Sequence, residues 1–248
     1  MPIRFRFSWI PFIAAVLAVA LGVSLGHWQS RRAQEKEAIG AAMQARGAQP
    51  VVDLGAAVAA DTTASAEEFR RVRVSGHFVG TWPLYLDNRP HERRAGLHLL
   101  MPFKIAGSNK TVLVARGWLP RDPVDRTRLP ATPTPAGAVT IEGSIRSHPG
   151  RLYQFGASAP LQAGAIVQNV SVDEFAAASG LALLPFIIEQ GGASGIAGAA
   201  GDGLVRDWPR PSHGADKHRG YAFQWYGLAA AAFIFFIVTG FLRGTRQQ

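Results

Sequence analysis

The sequence predicts a membrane protein in which two transmembrane α-helices flank a mainly β (α+β) extracytoplasmic domain, an antiparallel sheet or partly closed barrel. Three observations predict it. Two uncharged apolar runs of about 20 residues stand near the two ends. At about 1.5 Å per residue, each crosses a hydrocarbon core of about 30 Å. Between them lie short stretches of period-two alternation bounded by turn residues. Charged residues make up 17% of the 248 residues, below the roughly 25% of ordinary soluble domains, and the two end runs account for the deficit.

The first transmembrane helix is predicted over 7–27. Pro11 sits near its start, where a missing amide donor does least harm. Ala18-Val19-Ala20 resembles a signal-peptide cleavage site, but the apolar run continues through Leu25 and outlasts a signal core, which favours an uncleaved anchor. Residues 28–68 read as a helical extension to about Ala45 and then a connector rich in Ala, Gly and Thr. The extracytoplasmic domain is expected over 69–216. Strands are expected at 69–79, 82–87, 97–105, 111–117, 139–146, 165–170 and 183–189. Turn signals such as Asp87-Asn88, Gly107-Ser108-Asn109 and His148-Pro149-Gly150 separate them. Residues 129–137 carry three prolines and read as an extended connector. A short helix is expected at 173–179, capped by Asp173 and ended by Gly180. Residues 191–203, rich in Gly and Ala, read as a mobile loop. The second transmembrane helix is predicted over 217–242. Trp9, Trp28, Tyr221, Trp225 and Tyr226 lie near span ends, as interfacial aromatics do.

Arg4 and Arg6 precede the first span, and Arg243 and Arg246 follow the second. The positive-inside rule therefore places both termini in the cytoplasm and the central domain in the periplasm. Arg31, Arg32 and Lys36 oppose this, but Glu35 and Glu37 accompany them and the intervening loop is long. No Arg/Ser-rich transit sequence precedes the first span, which favours a bacterial plasma (inner) membrane. The net charge of +9 is dispersed. Without an aromatic-basic repeat it indicates membrane lipid rather than nucleic acid as a partner. The chain has no cysteine. That excludes disulfides, iron–sulfur clusters, cysteine-linked haem, and cysteine zinc or copper sites. No hydrolase elbow, zinc-protease helix or phosphate-binding glycine loop occurs. His77, His91 and His98 have no metal-ligand spacing.

From the residues alone, His218 has two readings. On a helix, Tyr221, Ala222 and Trp225 share its face, and the small Ala222 leaves a notch between aromatics. An imidazole above such a notch suits an axial haem ligand, with Lys217 and Arg219 placed to meet propionates. The other reading is an interfacial histidine reaching toward water beside an aromatic belt. His27 ends the first span at a similar depth, so a bis-histidine pair with His218 is conceivable, beside a plain interfacial role. Gln29, Arg32 and Lys36 fall on one helical face, either a docking face or a solvated one. Arg116 and Arg89 are expected to pair with local carboxylates such as Asp87 or Asp122, and Trp118 to pack in the core. Gly76 and Gly117 are expected at bulges or turns.

Several segments together resemble the surfeit locus protein 1 family, in family order from about residue 25 to 228. They are Leu25-Gly26-His27-Trp28-Gln29, Arg71-Val72-Arg73-Val74-Ser75-Gly76, Leu86-Asp87-Asn88-Arg89, Val114-Ala115-Arg116-Gly117-Trp118, and His218-Arg219-Gly220-Tyr221-Ala222-Phe223-Gln224-Trp225-Tyr226. Asp216-Lys217 stand where the family often has asparagines, Ala115 replaces a common Asn, and Tyr226 replaces Phe. The resemblance implies a non-enzymatic assembly factor, a chaperone for building haem-copper cytochrome c oxidase in the respiratory chain. It implies that haem a is held transiently at His218, as axial ligand of the haem iron, with Tyr221 and Trp225 shielding it. It implies haem a synthase as donor and oxidase subunit I as acceptor. Two alternatives stand beside this: a haem-free membrane scaffold for oxidase intermediates, and a membrane-anchored enzyme acting outside the cytoplasm.

Overall fold

The computed structural model describes residues 5–55, 68–129, 131–154, 156, 160–191, 202–208 and 214–245. In chain order the elements are α1 (Trp9–Gly47), β1 (Val52–Asp53), β2 (Arg71–Phe78), β3 (Leu84–Leu86), β4 (Gly96–Ile105), β5 (Thr111–Pro120), β6 (Val139–Arg146), β7 (Ile166–Val167), α2 (Val172–Ser179), β8 (Leu183–Gln190) and α3 (Ala215–Thr245). The chain divides into two units, Met1–Ala41 with Arg210–Gln248, and Ala42–Pro209.

The first unit is a pair of long apolar helices, each long and apolar enough to cross a membrane. The expected first span and its helical extension are one uninterrupted helix, α1. Small residues let α1 and α3 approach. A side chain on Gly22 would stand 2.9 Å from Ala229 Cβ and 3.0 Å from the Trp225 carbonyl oxygen, and one on Gly26 would enter the Tyr226 ring. Small-xxx-small spacing is what membrane helices use where apolar burial gives no drive to associate. Near the chain termini, Phe5 packs edge-on against Phe236 and Phe241 at centroid distances of 5.8 and 5.2 Å. The Arg6 amide donates to the Gly240 carbonyl at 3.0 Å.

The second unit is a barrel. Strand order β1-β2-β6-β8-β5-β4-β3-β7, with an added β2–β4 pairing, closes β2, β6, β8, β5 and β4 into five strands. Closure removes the exposed edges that an open sheet must manage. The expected antiparallel character holds for most pairs, but β5–β8 is parallel, as are β1–β2 and β3–β7. The long chain between β5 and β8, with α2 in it, supplies the crossover that a parallel pair needs. Two glycines form the corners. Gly76 pairs with both Val139 and Ile105, so β2 passes from β6 to β4 there, and a Cβ would stand 2.0 Å from the Lys104 carbonyl oxygen. Gly143 pairs with both Val72 and Gln190, and a Cβ would stand 2.3 Å from the Glu189 carbonyl oxygen. Sharp corners of this kind in a small barrel exclude any side chain.

Alternation fills the barrel. β2 alternates exposed and buried at every residue, with Val72, Val74 and Phe78 facing the interior with Phe103, Val112, Val114, Ile141 and Phe186. β5 differs from the expected alternation, because nine of its ten residues are buried. Its outer face carries Leu113 and Ala115 into a second cluster with Leu84, Leu100, Ile187 and Phe175 of α2. Helix α2 is capped by Ser171 rather than by the expected Asp173. The Ser171 side chain accepts from the Glu174 amide, and Glu174 answers on the Ser171 amide. This reciprocal pair satisfies two amides at once and sets the helix start two residues earlier than Asp173 would. Gly180, at φ 68°, ends it as expected. The strands expected at 82–87 and 165–170 shorten to β3 and β7, which pair with each other. The predicted loop at 191–203 and connector ending at 68 fall mostly outside the described residues.

Candidate functional site

In the helical pair, one side of α1 carries Gly22, Gly26 and Ala33, all buried. Gln29 lies between them at helical spacing, three residues after Gly26 and four before Ala33. On α3, Ala215, Ala222 and Ala229 form the matching buried stripe, spaced by seven. His218 lies on that stripe, half-buried. The two stripes meet at a hydrogen bond: His218 Nδ1 and Gln29 Oε1 are 2.6 Å apart. A carbonyl oxygen only accepts, so Nδ1 donates, and in the neutral ring the lone pair is then on Nε2. A second partner that fixes tautomer and ring orientation is what metal-ligating histidines use.

The other expected residues separate. His27 shares a 3.2 Å hydrogen bond with the Tyr226 hydroxyl, and the two rings meet edge-on at 5.8 Å. The two imidazoles do not face each other, which leaves the plain interfacial reading of His27. His27 lies two positions from Gln29, on a different face of α1, and each histidine has its own partner from the other helix. Ala222 is buried in the stripe, so its small size serves helix approach rather than an open notch. Tyr221 is 52% exposed and Trp225 half-buried, so Tyr221 is free to cover something outside the seam. Arg219 is held by Glu37 at 2.8 Å, leaving Lys217 as the cation with no partner among the described residues. Of the face Gln29, Arg32 and Lys36, only Gln29 meets His218, while Arg32 pairs with Glu35 at 2.8 Å. The Gln29 contact went unread in the sequence. The signal for it was Gly22 and Gly26 at small-xxx-small spacing, with Gln29 next along the same face.

In the barrel unit, Arg116 is 1% exposed. It does not pair with Asp87 or Asp122. Leu99 pairs with Gly117 and Leu100 with Ala115, so Arg116 is the extra residue of a β-bulge. A bulge re-aims a side chain. The guanidinium donates to the Pro133 carbonyl at 3.0 Å, pairs with Asp202 at 3.3 Å and lies 4.8 Å from the Phe78 ring. Burial lowers its pKa, and Asp202 opposes that fall. The bulge also turns Leu119 into the barrel interior. Trp118 is buried, as expected, and donates to the Arg89 carbonyl at 2.6 Å. Asp87 takes Arg121 instead, and Asp122 approaches Arg128 at 3.9 Å. Arg89 donates to the Gly150 and Gln168 carbonyls rather than to a carboxylate. His98 packs edge-on against Trp208 at 4.9 Å, His91 lies against Trp118 at 5.2 Å, and His77 is exposed on β2. Burial first, then the charges of Arg89 and His91, push His98 down to about 4.

The hydrogen-bonded pair and the bulged arginine all fall within residues 16–230, the stretch that matches the SURF1 family. A SURF1-like protein of Rickettsia bellii is 32% identical over 108 residues, 43% of this chain and 42% of that relative. One of Rickettsia felis is 32% identical over 108 residues, 43% of this chain and 45% of that relative. One of Caenorhabditis briggsae is 27% identical over 165 residues, 58% of this chain and 50% of that relative. The chain thus aligns with half or less of the length of these relatives. With the family match spanning both long helices and the barrel between them, this chain belongs to the SURF1 family.

Proposed function

We propose that this protein assists assembly of a haem-copper cytochrome c oxidase by holding haem a at His218 and releasing it to oxidase subunit I. The observation that carries the reading is the 2.6 Å contact between His218 Nδ1 and Gln29 Oε1. The contact orients the ring with Nε2 away from Gln29, and one imidazole nitrogen fits a single axial ligand to a porphyrin iron. Bound haem a is cargo and supplies no chemistry to the protein. Gln29 holds the imidazole by Nδ1, which orients the ring and leaves Nε2 as the atom that can ligate. Tyr221 and Trp225 supply aromatic surface for the macrocycle, and Lys217 supplies the free cation for a propionate. Arg219 contributes less, since Glu37 already occupies it. His27 is engaged by Tyr226 and serves as a helix-pairing residue rather than a second ligand. One axial ligand suits a carrier, because a cargo held by two is slow to leave.

With both termini in the cytoplasm of a bacterial plasma membrane, His218 lies at the outer membrane face. Haem a synthase is the donor in this reading, and surrounding lipid covers the helical pair. The chain acts by binding, not by turnover. The test is to purify the full chain from cells that make haem a and record its Soret and α bands with and without His218→Ala. A haem a spectrum in the wild type that is lost in the variant supports the reading. No haem in either chain, with oxidase subunits co-purifying, replaces it with a haem-free scaffold. Turnover of a small substrate with no effect on oxidase contradicts both.

A further inference from the structure

Two loops of the barrel unit, 87–96 between β3 and β4 and 120–128 after β5, border an open cleft of about 550 Å³. Arg89, Arg93, Arg94, Arg121 and Arg126 line it, with Asp87 as its one carboxylate. Asp87 is already taken by Arg121. Arg93 and Arg126 have no side-chain partner among the described residues, and Arg94 lies over the Trp118 ring at 5.8 Å. The inner wall is charged. Arg89 is 7% exposed, and the buried Nε atoms of both Arg89 and Arg121 have no hydrogen-bond partner. Arg89 already donates to two carbonyls and Arg121 to Asp87 and the Arg126 carbonyl, so the uncompensated charge is that of the exposed Arg93, Arg94 and Arg126, like charges that an anion would join.

The rim is held against local preference. The His91 and Arg94 backbones exchange hydrogen bonds at 3.0 and 2.9 Å, and the two residues between, Glu92 and Arg93, have φ of 46° and 64°. Positive φ at both central positions is the pattern of a type I′ turn, which favours Asn-Gly and disfavours Glu-Arg. The turn spends that conformational preference on keeping two adjacent guanidiniums, Arg93 and Arg94, at the cavity mouth.

We propose that this cleft is a binding site for a phosphate group. Arg93, Arg94 and Arg126, with no carboxylate partner among the described residues, still present more donors than the two oxygens of a carboxylate accept, whereas a phosphate offers three or more and matches the planar guanidinium fork. The phosphate comes either from a soluble phosphoester or from an anionic lipid headgroup. The test uses the full chain in phosphatidylcholine nanodiscs, titrated with inorganic pyrophosphate. The wild type binds one equivalent, more weakly as salt rises. Arg126→Gln and Arg93→Gly each reduce affinity at least tenfold. Glycine suits the left-handed position, so R93G unfolds at a temperature no lower than wild type, which separates lost binding from lost fold. Replacing part of the phosphatidylcholine by phosphatidylglycerol then assigns the source. Pyrophosphate displaced from the wild type identifies the lipid headgroup, and unchanged pyrophosphate affinity identifies a soluble phosphoester. Absence of pyrophosphate binding, or binding indifferent to both substitutions, overturns the site.

Discussion

Gln29 and His218 are far apart in sequence and adjacent in space, and each accounts for the other. A glutamine in an apolar helix carries a carbonyl and an amide that need partners. A histidine beside it gains a fixed tautomer. Replacing Gln29 by Leu frees the ring to reorient, and outer-shell losses of this kind cost ligand affinity about tenfold to a hundredfold. The helix content of Gln29→Leu stays at the wild-type level by circular dichroism, because the helices remain. Arg116 makes a different residue-scale case. Removing it takes away a buried ion pair and a hydrogen bond, although Arg206 stays on Asp202. Arg116→Ala is expected to lose about 3 kcal/mol in urea unfolding. Its partner was illegible in the sequence, since Asp202 lies 86 positions away and the bulge that aims Arg116 inward depends on the register of β4 against β5. Asp87 and Asp122 were the nearer carboxylates, and both are taken by arginines of the same loop region.

At the scale of elements, what was legible followed from period and composition. The long helices, β2, β4, β6 and β8 announce themselves by apolar run or alternation. The β5 strand announces its inner face through Val112 and Val114, but burial of its outer face depends on α2, which no local pattern reveals. Closure depends on Gly76 and Gly143, whose role comes from neighbours across the sheet. Gly76→Ala would place a carbon against a backbone oxygen that cannot swing aside, and is expected to cost about 3 kcal/mol or more. In the helical pair, Gly22→Leu meets Ala229 and the Trp225 carbonyl and forces α1 and α3 apart. Because the chain is cysteine-free, cysteines introduced as Gln29→Cys and His218→Cys report the approach directly. A short bismaleimide is expected to join them efficiently in the parent chain and poorly once Gly22→Leu is added.

For the whole molecule, acid is the revealing variable. His98 titrates near 4 when folded and near 6.5 in an ordinary setting. Between those values the unfolded chain binds the extra proton. The contribution of His98 to stability is therefore complete above about pH 6.5 and is lost as pH falls toward 4, on the order of 3 kcal/mol. Glu189, raised chiefly by burial, bends the profile the other way. Comparing wild type with His98→Leu isolates the histidine: the difference in urea midpoint between pH 7.5 and 4.5 narrows in the variant. A variant with the same acid dependence as wild type contradicts this assignment. The molecule thus joins a barrel expected to lose stability in acid to a helical pair in which the Gln29–His218 contact lies at the proposed cargo ligand.

That contact is tested most directly by equilibrium titration of haem a into the purified full chain, comparing wild type, Gln29→Leu and His218→Ala by Soret absorbance. Saturable binding to the wild type is expected, with affinity weakened about tenfold to a hundredfold by Gln29→Leu and no axial-ligand spectrum for His218→Ala. Equal affinities and identical spectra for all three chains would contradict it.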